Sequence, residues 1–357
     1  MRRILHVASG REWRGGQRQV LLLARALSSE PDLHQTVVTS RHSELERRLQ
    51  SARVSVESVP WTAGLDPRVI LPLLRASRGG SRPILHAHDS HALALAALCA
   101  RWTGAPLVAT RRVDFPLRRP WPWRQANRVI AISHAVREVL IASGIAPDRI
   151  AVIHSGIDVH STLGTRPLGI RESLDFGAEC RIAVNVAALV GHKDHKTLVE
   201  TARLLRPRLP NLRWVIAGDG PLREKIQAKV AEAGLRGVVH LLGTIPDGVS
   251  LIADADVFVM SSSEEGLGTS VLDAMALGVP VVTTNAGGLP ELVGSQAAVI
   301  CSKGKPDQLA AAVERILADP VERERLTTAG RTRTAAFSHE RMASEHLPVY
   351  RSLDSDA

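Results

Sequence analysis

Residues 262–291 read SSEEGLGTSVLDAMALGVPVVTTNAGGLPE, and they follow the apolar run Val257-Phe258-Val259-Met260. A short apolar run bounded by polar residues reads as a buried strand. From Thr269 the spacing changes, and Val271, Leu272, Met275 and Ala276 fall on one helical face. Glu264-Glu265-Gly266-Leu267-Gly268 therefore lies between a strand and a helix N-terminus, an arrangement that turns free backbone N–H groups toward an anion. After the helix, Gly278-Val279-Pro280 leads into Val281-Val282-Thr283 and a second glycine turn at Gly287-Gly288. Two consecutive strands ending in glycine-bearing loops on one edge predict a parallel sheet with a ligand at that edge.

The same rhythm extends in both directions. Short apolar runs from 3–7 to 150–154 predict seven strands in the first half. Runs from 181–186 to 298–300 predict six in the second. Helical patterns near 17–27, 67–76, 92–102 and 135–142 alternate with the first set, so the fold class is α/β with parallel sheets. A chain of 357 residues suits two domains. They are predicted at 1–160 and 161–337, with a helix at about 338–357 packing back on the first. Residues 155–178, rich in glycine and without clear periodicity, read as the linker.

Charge divides the halves. Residues 1–160 carry 23 arginines, no lysine and 12 acids, a net of +11, whereas residues 161–357 have a net of −2. A basic half beside a near-neutral one points to an anionic partner, such as a membrane surface or an acidic acceptor. Aromatic content of 3% and the lack of any nucleic-acid-binding motif exclude nucleic acid as the expected partner. Cys99, Cys180 and Cys301 are isolated and odd in number, which predicts buried thiols in a reducing compartment. The apolar run after Met1-Arg2-Arg3 is too short for a signal peptide and reads as the first strand. The expected location is cytoplasmic, with peripheral contact at the inner face of a membrane.

Other candidate sites come from loops. Gly10–Gly16 follows the first strand and can hold phosphate, but it lacks the G-x-G-x-x-G spacing of a dinucleotide site. Gly218-Asp219-Gly220-Pro221 opens a helix after a strand, and Lys193 lies in the loop after the first strand of the second half. An acid such as Glu265 beside a glycine turn can accept hydrogen bonds from vicinal sugar hydroxyls. His86, His88 and His91 cluster with Asp89 without a third ligand group at convincing spacing, so one of them is expected to line a cleft. Asp254-Ala255-Asp256 and Asp354-Ser355-Asp356 spell D-x-D. The first precedes its strand and the second lies in the tail, so neither is read as a metal site.

Taken together, these motifs resemble those of the retaining GT-B glycosyltransferases of family 4. The family's E-G-F-G-x-x-x-x-E-A-M-A corresponds to residues 265–276, its G-x-P-V-V and G-G-x-P-E to 278–282 and 287–291, and its I-A-G-D-G-P to 216–221. Residues 152–158, 130–137 and Gly15-Gly16 match three further motifs in the family's order. The resemblance implies two Rossmann-like doubly wound domains facing across a cleft, the first binding acceptor and the second binding a nucleotide sugar of UDP, GDP or ADP type. It implies donor contacts by Gly15, Gly16, Lys193, Gly218, Asp219, Gly220, Glu265, Gly266, Leu267, Gly268, Thr269 and Asp273. Glu265 would meet the donor sugar's hydroxyls and Asp273 the ribose. Backbone N–H groups of 267–270 with Lys193 would receive the diphosphate.

Three positions depart from the pattern. Asp273 replaces a glutamate, Ala188 stands where the family usually has arginine, and Arg112 stands where it commonly has histidine. Arginine cannot act as a base at neutral pH, so Arg112 is expected to hold an anionic acceptor or the sugar, with His88 and Arg111 as neighbouring cleft residues. The implied reaction is hexosyl transfer with retention onto a lipopolysaccharide, glycolipid or polysaccharide acceptor, with no metal and no cofactor required by any motif. A nucleotide-sugar epimerase and a catalytically silent nucleotide- or glycan-binding module stay open as alternatives.

Overall fold

The computed structural model describes residues 2–61, 66–76 and 82–353; the D-x-D at 354–356 lies outside them. Two compact units emerge, one from the residues up to Gly156 together with those from Ser338 onward, the other from Ile157–Phe337.

The first unit contains β1 (Arg2–Ala8), β2 (Leu33–Ser40), β3 (Val56–Val59), β4 (Ile84–Ala87), β5 (Leu107–Arg111), β6 (Arg128–Ala131) and β7 (Ile150–Val152). Their spatial order is β3-β2-β1-β4-β5-β6-β7, and every pairing is parallel. The second contains β8 (Arg181–Val186), β9 (Leu212–Ala217), β10 (Val239–Gly243), β11 (Val257–Met260), β12 (Val281–Thr284) and β13 (Val299–Cys301), in the order β10-β9-β8-β11-β12-β13. Both are doubly wound, Rossmann-like sheets. The strand order reverses between β1 and β4 in one and between β8 and β11 in the other, and such reversals open a crevice beyond the carboxyl ends of the strands. Central strands β4, β5, β11 and β12 are buried throughout, as strands covered by helices on both faces must be.

Helix His339–Arg351 belongs to the first unit. Its Met342, Ala343 and Tyr350 join Ile4, Leu22, Leu23, Val108 and Ile130 in one apolar core. The second unit's core gathers Trp214, Ile216, Val257, Val259 and Val282 with the helix residues Leu198, Leu309 and Val313. All three cysteines are free and buried, and burial pushes the thiols of Cys99 and Cys301 up to about 11.

Several details differ from the sequence expectation. A helix at Glu44–Ser51, absent from it, starts where the Ser43 hydroxyl accepts from the Glu46 N–H, a short-range capping signal that the charged sequence conceals. The helical pattern at 67–76 begins as a 3-10 turn, Pro67–Val69, before Ile70–Ala76. Residues 155–178 are not a free linker. They form helices Val159–Leu163 and Ile170–Ser173, and the second unit holds them through Leu168 N–H to Ser250 O at 3.0 Å and Ile170 N–H to the Asp254 carboxylate at 3.3 Å. Short helices of this kind show no apolar period long enough to read.

The first unit's core has an unusual polar centre. β1 and β4 pair with His6 opposite His86, and His88 follows two residues later on the same face. His6 Nδ1 and His88 Nε2 are 2.9 Å apart, while His86 bonds Tyr350 Oη at 2.8 Å and Thr110 Oγ1 at 2.7 Å. His346, from the C-terminal helix, donates through Nδ1–H to Met342 O at 2.7 Å. Burial, then the charge of neighbouring groups, drives His6 down to about 3 and holds His86 and His88 well below the usual imidazole range. Burial likewise lowers His346 to about 4.

Two consequences can be measured. The four imidazoles stay neutral in the folded chain, so below about pH 6.5 the unfolded chain takes up protons that the folded one refuses. Stability should fall as pH drops from there toward about 4, by as much as about 1.4 kcal/mol per pH unit for each such histidine. Urea midpoints taken across that range check the slope, and a flat profile contradicts the neutral cluster. Gly156 is bonded at both backbone groups by the buried Gln19 amide, at 2.8 and 3.0 Å, and a methyl group there would lie 2.6 Å from Ser338 O. Gly156→Ala should therefore destabilise by about 1–3 kcal/mol, read as a lower thermal midpoint.

Candidate active site

In the second unit the loops after β8 and β11 are stitched together at the reversal point. The carbonyl of His192 accepts from Ser263 N–H at 2.8 Å, from Ser263 Oγ at 3.2 Å and from Glu264 N–H at 3.3 Å. Ser261 Oγ donates to Lys193 O at 3.0 Å. Lys193 itself sits in a 3-10 turn, Gly191–Lys193, held by Asp194. That residue caps helix His195–Leu205 through Thr197 N–H at 3.3 Å and Thr197 Oγ1 at 2.6 Å. These contacts deliver the Lys193 ammonium to the Glu265 carboxylate, with which it forms an ion pair; the two side chains are only 15% and 11% exposed. Ser262 Oγ also donates to Glu265 at 3.3 Å. Burial, then the Lys193 charge, lowers the neighbouring His195 imidazole to about 4.

Behind Glu265, helix Thr269–Leu277 begins without a side-chain cap and without an acid in its first turn. The N–H groups of Leu267, Gly268, Thr269 and Ser270 have no acceptor among the described residues. Gly268 adopts φ +94°, and a Cβ there would stand 2.6 Å from a Leu289 methyl, so only glycine fits this turn. Leu289 opens the helix after the second glycine turn, whose Gly288 N–H donates to Glu265 O at 2.8 Å. The two glycine turns thus form one structure. Asp273 is on the same helix, enclosed at 3% exposure.

Gly218 and Gly220 admit a neighbouring backbone. Leu189 N–H donates to Asp219 O at 3.0 Å and Leu222 N–H to Leu189 O at 3.1 Å, so the loop after β9 lies backbone-to-backbone on the loop after β8. A Cβ at Gly220 would sit 2.5 Å from Leu189 O, and one at Gly218 would collide with Ala187 O. Asp219 is spent on the turn, its carboxylate accepting from Gly220 N–H at 2.7 Å. The helix starts at Arg223, one residue later than the proline suggests. Asp254 and Asp256 are likewise engaged, Asp254 by Ile170 N–H and Asp256 by Ile182 N–H and Arg181, both at 2.8 Å.

The first unit's reversal point carries a second polar group. Ser9 binds the Asp89 carboxylate through N–H at 2.7 Å and Oγ at 2.5 Å, and Asp89 also caps helix Ser90–Thr103. Helix Gly15–Leu27 starts at Gly15 with no side-chain cap, and the Arg112 side chain runs beside Gly16. Among the described residues Arg112 makes only long contacts, 3.4 Å to His88 Nδ1 and 3.5 Å to Ser155 Oγ, and its buried Nε has no partner. Burial lowers its pKa to about 10, although the Asp89 charge opposes this. An arginine donates, so His88 Nδ1 accepts, His88 Nε2–H donates to His6 Nδ1, and the tautomers of both rings follow.

Two cleft expectations change. Arg111 is 6% exposed and bonds Val113 O at 3.1 Å and Phe115 O at 2.6 Å, so it braces the loop instead of standing open. His88 is 4% exposed behind Arg112. The third histidine that spacing failed to supply is His6, whose ring atoms lie within 4.8 Å of those of His86 and His88. Strand pairing, invisible in the local sequence, brings it there. His91 instead lies on the exposed side of its helix start.

Comparison with known proteins agrees with this architecture. Residues 13–161 match Glycosyltransferase Family 4 and residues 169–333 match Glycosyl transferases group 1. The putative glycosyltransferase EpsD of Bacillus subtilis is 32% identical over 79% of this chain and 73% of its own length. The lipopolysaccharide core biosynthesis glycosyltransferase LpsE of Rhizobium meliloti is 27% identical over 98% of this chain and 99% of its own. Among solved structures, Anabaena HepE in complex with UDP-glucose superposes with a TM-score of 0.86 at 19% identity, over 98% of this chain and 99% of that one. Both halves and the full-length relatives place the chain in one family: it belongs to the GT-B glycosyltransferases of family 4.

Proposed function

We propose that this glycosyltransferase moves a hexosyl group from a UDP-, GDP- or ADP-sugar to a lipid or polysaccharide acceptor of the cell envelope, with retention of anomeric configuration. The observation that carries the reading is the Lys193–Glu265 pair beside four unpartnered N–H groups at the start of helix Thr269–Leu277. The names of the relatives, a lipopolysaccharide-core enzyme and an α-(1→4)-mannosyltransferase among them, support the acceptor and sugar classes. The UDP-glucose bound by Anabaena HepE supports the donor class. The net charge of +11 on residues 1–160 supports work at the inner, cytoplasmic face of a membrane.

In this reading the diphosphate receives the N–H groups of 267–270 and the Lys193 ammonium. As the glycosidic bond breaks, negative charge grows on the departing nucleoside diphosphate, and donors already fixed there stabilise it without reorganisation. Glu265 turns from Lys193 to the sugar hydroxyls, Asp273 serves the ribose, and Gly15 and Gly16 present the start of their helix to the donor. Gly218 and Gly220 act through the backbone, by holding the lysine loop in place. Arg112 holds an anionic group of the acceptor or the sugar, since its guanidinium has spare donors and no carboxylate in contact.

Release of nucleoside diphosphate from a panel of nucleotide sugars tests the assignment. Lys193→Ala should cost about 10²–10³ in turnover, the loss seen when one fixed donor is removed from a developing anion, and Glu265→Ala should abolish transfer. Because each substitution strands a buried partner charge, Glu265→Gln serves as the folded control, with thermal midpoints measured alongside. Turnover of either alanine variant near the unaltered rate contradicts the proposal.

A further inference from the structure

Two tryptophans of the first unit stand in solvent. Trp102, on the last turn of helix Ser90–Thr103, is 61% exposed, and Trp121, which opens helix Trp121–Gln125, is 47% exposed. The two helices pack against each other. The segments that follow them enter neighbouring strands β5 and β6 and are tied together, with Asn127 N–H donating to Leu107 O at 2.7 Å and Leu107 N–H to Asn127 Oδ1 at 2.9 Å. Trp123 is 4% exposed and lies 5.5 Å from the Arg111 guanidinium carbon. One indole therefore fastens the short helix to the sheet while the other faces outward, between Pro120 and Pro122.

Charge surrounds the indoles without compensation. From Arg101 to Arg128 the chain carries seven arginines and one acid, Asp114. Arg101, Arg118, Arg119 and Arg124 are all exposed, and none forms an ion pair among the described residues. Indoles prefer the boundary between headgroups and acyl chains, where the ring meets hydrocarbon and the N–H stays wet. Guanidinium groups beside them meet lipid phosphates. A single-stranded nucleic acid would need a basic groove along its backbone with aromatic platforms for successive bases, whereas two exposed indoles beside clustered arginines match a headgroup layer.

We infer that Trp102 and Trp121, with Arg101, Arg118, Arg119 and Arg124, form a docking surface for the anionic lipid headgroups of a membrane. The inference rests on the reading of a membrane-associated acceptor and names the face that meets the bilayer. Trp102 precedes β5 and Trp121 precedes β6 along the chain.

Co-sedimentation of the full chain with vesicles, in the absence of donor and acceptor, tests it. Binding should be strong to phosphatidylcholine vesicles containing phosphatidylglycerol, weak to phosphatidylcholine alone, and weakened by salt. Each arginine removed should lower partitioning by about fivefold, so Arg118→Ala/Arg119→Ala should lose roughly 25-fold, and Trp102→Ser/Trp121→Ser should lose binding that salt does not restore. Nucleoside diphosphate release and thermal midpoints should stay unchanged in both variants, which keeps loss of binding distinct from misfolding. Absence of binding to anionic vesicles, variants that bind like the unaltered chain, or capture by a single-stranded RNA in preference to vesicles each overturn the surface. Vesicle binding as described without any nucleoside diphosphate release supports the surface and overturns the functional reading instead.

Discussion

The carbonyl oxygen of His192 is the point on which the second unit's site depends. Three donors from the loop after β11 converge on it, and it belongs to the residue before Lys193. The backbone of the lysine loop is thereby locked to the backbone of the acidic loop, and the Lys193–Glu265 pair is a product of that lock. A largely buried ammonium and carboxylate gain little from Coulomb attraction alone once desolvation is counted. The surrounding hydrogen bonds fix their positions, and each charge neutralises the other in a pocket of low exposure. The loop after β9 supports the arrangement from the other side, where Gly218 and Gly220 let it lie on Leu189 without side chains intervening. Three loops from adjacent strands therefore behave as one rigid edge.

The first unit solves the same topological problem with different chemistry. Its strand order reverses between β1 and β4, and Ser9 with Asp89 ties the two loops as Ser263 and His192 do in the second unit. Where the second unit places an ion pair, the first places Arg112 against a neutral imidazole. A buried guanidinium with two long contacts and an unpartnered Nε retains hydrogen-bonding capacity. The imidazoles behind it are buried too deeply to protonate at neutral pH, so they add no opposing charge. That keeps the arginine a donor toward whatever lies in front of it.

Fold class was legible because parallel strands covered on both faces are short, apolar and separated by helices; each predicted strand corresponds to one in the two sheets, with ends moved by at most three residues. The glycine turn at 266–268 and the helix start at Thr269 were legible for the same local reasons. What depended on distance along the chain was not. His6 reaches His86 and His88 through the β1–β4 register, and nothing near residue 6 announces it. The Lys193–Glu265 contact joins positions 72 apart. Arg111 and Arg112 are adjacent in sequence, yet one braces a loop through Val113 O and Phe115 O while the other faces Gly16. Alternation along a strand end decides which does which, and composition says nothing about it. That Gly218 and Gly220 admit the backbone of 187–189 was not legible either, because a glycine that admits a phosphate and one that admits another backbone look alike in sequence.

Two of the departures from the family pattern, Ala188 and Arg112, can be weighed physically against this edge. Ala188 lies on the segment that Gly218 and Gly220 approach most closely, so the space beside it is filled by backbone. The positive potential left for an anion then comes from Lys193 and from the uncapped start of helix Thr269–Leu277. A helix N-terminus contributes roughly half an elementary charge, and four N–H donors direct it. Lys193 is already paired with Glu265, so the uncapped helix end is the less compensated positive pole of this edge. In the first unit, Arg112 is itself short of acceptors among the described residues, with contacts only at 3.4 and 3.5 Å.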